Sequence, residues 1–261
     1  MAELLKFDNV LNVRDFGGHA LEGGRMVACG QLFRGAQISN TSSQDRSQFA
    51  DYGISLIVDF RYRSERKRQT SRFDANFNPE VLELLKDHDQ GDEDHLAPHE
   101  SFILHELESA EDARRYMINS YTERPDSPAF ISLTARAFKR MADSGEAIYV
   151  HCAAGKDRTG TFAALLLLLL GVSDADVMDD YLRTREALEF SLIKNMAAKK
   201  MEERYGRVYD PDALEPFFGV EPEFLLKSLD VIGDVERYAK TVLGLTGTDL
   251  ANLRRHYHAA S

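Results

Sequence analysis

Cysteine is scarce in this chain of 261 residues: there are two, Cys29 and Cys152. Two thiols cannot build a disulfide framework, which points to a reducing compartment. An excess of positive charge is missing as well. Asp and Glu number 43 against 32 Lys and Arg, for a formal net charge of −11. Such a surface repels nucleic acid and anionic membrane at long range, so no nucleic-acid partner is expected. It would also repel an anionic substrate unless a pocket is locally positive. No apolar run is long enough to form a transmembrane segment: 162–172 falls short of the roughly 20 residues required and reads as a helix buried on all sides. The opening MAELLKFDNVLNVRDFGG lacks a basic segment followed by an apolar one. No Sec signal peptide is therefore expected, and the chain is placed in the cytoplasm or among proteins exported without one. Tryptophan is absent, and there is neither an internal repeat nor a low-complexity linker. With 43% hydrophobic residues, 1–261 reads as one domain with a core of its own.

The hydrophobic pattern predicts an α/β fold with a mostly parallel central sheet flanked by helices. The stretch 12–18 (NVRDFGG) reads as a loop and 31–34 as a short strand. A helix is predicted over 43–52, with Gly53 past its end. The run 55–60 (SLIVDF) suits a buried parallel strand, and 81–85 a further one. The charged stretch 61–72 reads as a surface loop or a turn of helix. The acidic stretch 87–100 reads as an exposed loop; its His88, His95 and His99 fit no metal-ligand spacing, so no metal is expected. Helices are predicted over 110–122 and 127–143, separated by Pro125 and Asp126. A strand at 147–150 runs into His151-Cys152, and a helix follows over 159–170. Ser173 and Asp176 form a capping pattern for a helix through about 188. The remainder, from about 173 to 261, reads as all-helical, with Pro222 opening one helix and Thr248 capping the last. Within it, 186–204 carries Phe190, Leu192, Ile193 and Met196 among charges, which suits either a lid or an ordinary packed helix.

The chemistry concentrates at 151–160, His151-Cys152-Ala153-Ala154-Gly155-Lys156-Asp157-Arg158-Thr159-Gly160. A tight loop between a strand and a helix N-terminus points successive N–H groups inward, and the helix dipole adds positive character there. Gly155 permits the turn. Arg158, six residues after the cysteine, can curl back so that its planar fork takes two phosphate oxygens. The same positive cup favours a thiolate, so Cys152 is expected to be ionised at neutral pH. It could attack phosphorus in line, giving a phosphocysteine that water hydrolyses. A buried structural thiol is the bland alternative. It leaves the accompanying glycine, arginine and strand-to-helix context unexplained. The loop is not a nucleotide P-loop, because Asp157 follows Lys156 where Ser or Thr would stand.

This loop resembles the signature of the cysteine-based tyrosine and dual-specificity phosphatases. HCAAGKDRTG is most similar to the bacterial atypical group that includes mycobacterial tyrosine phosphatase B and related lipid phosphatases. That group's N-x-R-D-x-G-G element is matched by 12–18, its G-x-L-[FY]-R-[SG] element by 30–35, and its D-[FL]-R element with a following Glu by 58–65. The resemblance implies a dual-specificity-phosphatase-like sheet flanked by helices. It implies hydrolysis of phosphotyrosine, and also of phosphoserine, phosphothreonine and phosphoinositides. The substrate would be a phosphorylated protein or a phosphoinositide, the product inorganic phosphate, with no cofactor. Carried over, Cys152 is the nucleophile and Arg158 the phosphate clamp. Ala153, Ala154 and Gly155 line the cup, Lys156 meets a further phosphate or the substrate's negative edge, and His151 and Thr159 tune or orient the thiolate. Ala153 departs from lipid phosphatases that have a basic residue at that position.

The leaving oxygen needs a proton. With no tryptophan, the W-P-D loop that carries the acid in other family members is absent in its usual form. Three candidates stay open: Asp157, favoured by the resemblance; Asp59, at a strand end where α/β sheets gather ligands, or else in an ion pair holding the loop; and Asp126, or else a cap for the helix after it. Arg14 and Asp15 read as structural or rim residues. Cys29 reads as a small buried residue, with reversible disulfide protection of Cys152 as the alternative. Competing functions are a non-catalytic binder of phosphorylated ligands and a rhodanese-like sulfurtransferase; Arg158 and Thr159 favour the phosphatase.

Overall fold

The computed structural model describes residues 4–86, 96–187 and 190–260. The strands are Arg14–Asp15 (β1), Ala20–Leu21 (β2), Arg25–Val27 (β3), Leu32–Gly35 (β4), Ile54–Asp59 (β5), Glu80–Glu83 (β6), Ala147–His151 (β7) and His258–Ala260 (β8). The helices before the signature loop are Ser43–Asp51 (α1), Arg63–Arg68 (α2), Pro98–His105 (α3), Ala110–Glu123 (α4) and Pro128–Ser144 (α5). After it come Asp157–Leu169 (α6), Asp174–Leu182 (α7), Thr184–Ala187 (α8), Phe190–Tyr205 (α9), Glu215–Phe218 (α10), Pro222–Ile232 (α11), Val235–Thr241 (α12) and Gly247–Tyr257 (α13).

The continuous apolar runs of β5 and β7 are the sequence of strands covered on both faces. They lie inside a five-stranded sheet of order β1-β4-β7-β5-β6, parallel except at the β1 edge. Side chains alternate between two cores, as a period of two requires. Leu56, Val58, Ile148 and Val150 face the larger core, which also takes in the apolar run 162–169 of α6. Ile57 and Tyr149 face the smaller one, against Phe49 of α1 and Phe77. Helix α5 spans the larger core because Phe130, Leu133, Ala137, Phe138 and Met141 fall on one stripe, and it ends at Gly145 with φ 64°.

The expected mixed fold with a mostly parallel sheet is what the chain adopts. Several local readings need correction. The stretch 12–18 contains β1, and 61–72 is not simply surface: Arg61, Ser64 and Glu65 are buried around α2. The end of the supposed exposed loop 87–100 belongs to α3, with Glu100 buried, while His88 and His95 lie outside the described residues. The C-terminal third is not all-helical, because β8 joins β3 and β2 in a small antiparallel sheet. Thr246, not Thr248, caps α13, since only Thr246 has Asp249 three residues on to complete a reciprocal box. Among the described residues no helix is long and apolar enough to cross a membrane.

Candidate active site

Strand register brings the site together. Gly35, His151 and Asp59 stand abreast as the last residues of β4, β7 and β5. The segments that follow them converge at one edge of the sheet, the edge where parallel strands gather ligands. The segment after β7 is the signature loop, and its carbonyls are held outward. Gln37 N–H donates to Ala153 O at 3.1 Å. Asn12 Nδ2 lies 3.1 Å from both Ala154 O and Gly155 O, and Arg34 Nη2 donates to Gly155 O at 3.1 Å. Because C=O and N–H point to opposite sides of a peptide plane, anchoring the carbonyls outside turns the N–H groups inward. Among the described residues, none of the N–H groups of 153–158 has a protein acceptor. Gly155 sits at φ 69°, and a Cβ there would run into the Gly35 carbonyl, so only glycine allows β4 and the loop to pack so closely.

The two side-chain donors, Asn12 and Arg34, are themselves fixed through one carboxylate. Asp180 of α7 takes Arg14 Nε at 3.0 Å and Arg34 Nη1 at 2.6 Å, with all three side chains buried. Arg14 also donates to Asn12 Oδ1 at 2.5 Å, which steadies Asn12 at a φ of 60°. Burial alone would push the Asp180 carboxyl up; Arg14 and Arg34 outweigh it and bring it down to about 2. Arg14, expected as a structural or rim residue, is thus wholly inside. Asp15 ties two turns together by accepting from Gly17 N–H at 2.8 Å and Gly30 N–H at 2.5 Å.

Cys152 is buried and lines a cavity of about 1240 Å³ together with Ala153, Ala154, Lys156, Asp157 and Arg158. Arg158 is gripped by Glu65: Nη1 donates to Oε2 at 2.8 Å and Nη2 to Oε1 at 3.1 Å, while Nη1 also reaches Phe60 O at 2.8 Å. The guanidinium lies over the Tyr62 ring, 5.0 Å from its centroid. Burial opposes the Glu65 charge, yet Arg158 draws its carboxyl down to about 2. Lys156 Nζ donates to Gly219 O at 2.7 Å and sits 3.1 Å from Asp157 Oδ1. Its burial lowers the ammonium's pKa, against the pull of Asp157. Asp157 Oδ1 also accepts from Tyr121 Oη at 2.7 Å, and Tyr121 Oη lies 2.8 Å from Tyr181 Oη.

The other anticipated residues fall in different places. Asp59 is not part of the cavity wall. Its carboxylate is buried against Arg61, with Nη2–Oδ2 at 2.7 Å and the Arg61 N–H at 2.9 Å from Oδ1. His151 Nδ1 lies 3.8 Å from Asp59 and 3.2 Å from Cys152 O; burial pushes the imidazole's pKa down, toward the neutral form. Thr159 Oγ1 is buried without a partner among the described residues. Asp126 is exposed on the cavity wall, and the cap of α5 is Ser127, so Asp126 does not fill the capping role. His99 also lines the cavity. Cys29 is exposed rather than buried, a correction. It precedes β4 whereas Cys152 follows β7. About five residues of parallel strand separate them, roughly 15 Å, far beyond disulfide reach. Lys200, Met201 and Arg204 of α9 line the cavity, while the side chains of Phe190, Leu192, Ile193 and Met196 lie outside the described residues.

Sequence reading missed the parts played by Glu65, Asp180, Asn12, Tyr121 and Tyr181. Glu65 stood in the D-F-R element and Asp180-Tyr181 beside a capping pattern, but neither position showed its partner.

Comparison with known proteins follows the same lines. A model described as the tyrosine phosphatase family matches residues 5–259. The chain is 30% identical over 261 residues to a Cupriavidus necator protein that carries a tyrosine-protein phosphatase name, covering 98% of this chain and 88% of that one. It is 25% identical over 228 residues to the triple specificity protein phosphatase PtpB of Mycobacterium tuberculosis, covering 78% and 81%. A tyrosine-protein phosphatase of Nostoc commune matches at 44% over 55 residues, 21% of this chain and 19% of that one.

Proposed function

The chain belongs to the tyrosine phosphatase family, and from that premise we propose that it hydrolyses phosphate monoesters through a phosphocysteine on Cys152. The observation that carries the reading is the inward-facing loop beside the Arg158–Glu65 pair. A guanidinium has five N–H donors. The contacts to Glu65 and Phe60 O take three. Among the described residues the Nε–H and the second Nη2–H meet no acceptor, and they form an edge matched to two phosphoryl oxygens. The loop N–H groups meet the equatorial oxygens, where transition-state charge spreads. Cys152 Sγ, as thiolate, attacks phosphorus in line; the S–P bond forms as the bond to the leaving oxygen breaks. Asp157 supplies the proton to that oxygen. Water then attacks the phosphocysteine, gives its proton to Asp157, and releases inorganic phosphate and the thiolate.

Asp157 is preferred over the other two carboxylates on its surroundings. Its carboxyl is partly exposed within the cavity, next to the loop. Asp59 is held charged by Arg61 despite its burial, and serves to fix the start of the Arg61–Glu65 segment.

Phosphotyrosine is the first substrate, with aromatic walls at Tyr62, Tyr116 and Phe130 to receive its ring. The cavity extends well beyond that ring. Arg68 and Arg204 share the buried Glu100 at 2.7 Å each, and Lys200 also lines the cavity. Arg68, Lys200 and Arg204 place three cationic side chains on the cavity lining, which supports substrates with a second phosphate, phosphoinositides among them, beside phosphoserine and phosphothreonine peptides. The test is kcat/KM across phosphotyrosine, phosphoserine and phosphothreonine peptides and phosphoinositides, with Cys152→Ser as control. The variant is expected to bind vanadate and phosphate yet turn nothing over; full activity in it would overturn the mechanism.

A further inference from the structure

The two tyrosines behind Asp157 have no part in the scheme above. Tyr121 of α4 is fully buried and contributes its hydroxyl to Asp157 Oδ1 at 2.7 Å. Tyr181 of α7, also buried, meets Tyr121 edge-on, with the hydroxyl oxygens 2.8 Å apart. A phenol has one proton to give. A carboxylate only accepts, so Tyr121 gives its proton to Asp157 and Tyr181 gives its own to Tyr121. The arrangement is built in: a Cβ on Gly160 would come within 3.0 and 3.1 Å of the Tyr181 ring, so the glycine that ends the signature loop makes room for that ring. Ser228 Oγ secures Tyr121 O at 2.6 Å from α11.

Lys156 Nζ is the second donor near the same carboxyl oxygen, at 3.1 Å. An oxygen that already accepts two hydrogen bonds is the poorer seat for a proton, so the acidic hydrogen of Asp157 belongs on Oδ2. We propose that Tyr121, backed by Tyr181, is a positioning residue for Asp157, fixing Oδ1 so that Oδ2 delivers the proton to the leaving oxygen. This rests on the reading of Asp157 as the general acid. Burial, and after it the nearby Asp157, pushes the Tyr121 hydroxyl's pKa well above its ordinary value, and Tyr181 moves the same way. Both therefore stay protonated, and so remain donors, at any working pH. Adjacent residues of α7 thus serve the two sides of the loop: Asp180 steadies its carbonyls through Arg14 and Arg34, and Tyr181 steadies its acid through Tyr121.

The experiment compares phenyl phosphate, whose leaving oxygen needs a proton, with p-nitrophenyl phosphate, whose leaving group departs readily as the anion. Tyr121→Phe is expected to lower kcat/KM on phenyl phosphate about tenfold, and on p-nitrophenyl phosphate less than about twofold. Tyr181→Phe should show the same pattern more weakly, and it keeps the test open should Tyr121→Phe fail to fold. Asp157→Asn should widen the gap further, and adding Tyr121→Phe to it should change nothing more. Equal losses on both substrates would overturn the positioning role, because a general loosening of the fold does not discriminate between leaving groups. So would additive losses in the double variant. If Asp157→Asn itself leaves the two substrates in their original ratio, the assignment of the acid fails, and the positioning role with it. A gap widened by Asp157→Asn but by neither tyrosine variant sinks the positioning role alone.

Discussion

Glu65 and Arg158 meet side by side, two carboxylate oxygens against two guanidinium nitrogens at 2.8 and 3.1 Å. Glu65 is buried and Arg158 partly so, and Arg158 is the member assigned to the proposed phosphate cup. Glu65→Gln keeps the shape but replaces a charged acceptor by a neutral one, and leaves Arg158 without a full counter-charge. The guanidinium then loses the fixed plane that aims its free edge at phosphate. The expected outcome is a fall in kcat/KM of about 10–100-fold, with KM rising at least as much as kcat falls. Steady-state kinetics and inhibition by vanadate check it; unchanged KM and vanadate affinity would count against Glu65 as the residue that aims Arg158.

The same burial predicts how the protein responds to acid. Glu65 is brought from an ordinary 4.5 to about 2 and Asp180 from 3.8 to about 2, in both cases by arginines that outweigh burial. A carboxyl with a depressed folded-state pKa contributes stability that is complete above its unfolded value and is lost as pH falls through the folded one. The window here runs from about pH 4.5 down to about 2, and Glu65 alone accounts for on the order of 3 kcal/mol across it. Urea unfolding at pH 6, 4 and 3 measures this. Flat stability over that range would mean that these carboxylates are not held as the ion pairs describe.

Gly155→Ala is expected to be more damaging than its single methyl suggests. The position has φ 69°, which costs a residue with a Cβ about 1–2 kcal/mol. The methyl also points into the Gly35 carbonyl, so β4 and the loop must part. That separation breaks the contacts from Asn12 and Arg34 that keep the loop carbonyls outward. Activity should fall at least about 100-fold while much of the fold persists, and circular dichroism alongside turnover distinguishes the two.

How much of this was readable from residue order differs by element. The signature loop was legible because its parts are contiguous: strand, cysteine, glycine, arginine and helix need no partner to be recognised. Strands β5 and β7 were legible because burial on both faces leaves an unbroken apolar run. Buried ion pairs were not, since the pairing of charges depends on how the chain crosses over. Glu65 lies 93 residues from Arg158, and Arg14 lies 166 from Asp180. Nothing in the charged stretch 61–72 marks Glu65, its one carboxylate, as a residue that goes inside rather than staying in water. The strands β2, β3 and β8 were missed because two or three residues are too few for alternation to show.

Asparagine at 59 and at 126 should separate an ion-pair residue from a rim residue. Arg61, which Asp59 holds, also donates to Gln37 Oε1 at 2.9 Å and Gln69 O at 2.6 Å, so it stitches the segment before Glu65 to the segment after β4. Asp59→Asn is expected to lower the melting temperature and to reduce activity evenly across substrates. Asp126 is exposed, and Asp126→Asn is expected to leave both nearly unchanged. A selective loss with Asp126→Asn on phenyl phosphate would transfer the acid's role from Asp157 to that residue.

Asp180→Asn tests whether one carboxylate underlies the whole back of the loop. It faces two buried guanidiniums, one from β1 and one from β4, and among the described residues no other carboxylate pairs with either. Removing its charge leaves two cations in a low-dielectric interior, a change that costs about 3–5 kcal/mol when a buried pair is broken. For a chain of this size that corresponds to a melting temperature lower by about 10 °C. Because Arg34 also caps Gly155 O and Arg14 orients Asn12, the loss should reach the site: phosphate should stabilise the variant less than it stabilises the parent. Thermal melts of both proteins with and without phosphate give the comparison. A large drop in melting temperature with an undiminished phosphate-induced rise would show that Asp180 supports the fold without organising the loop.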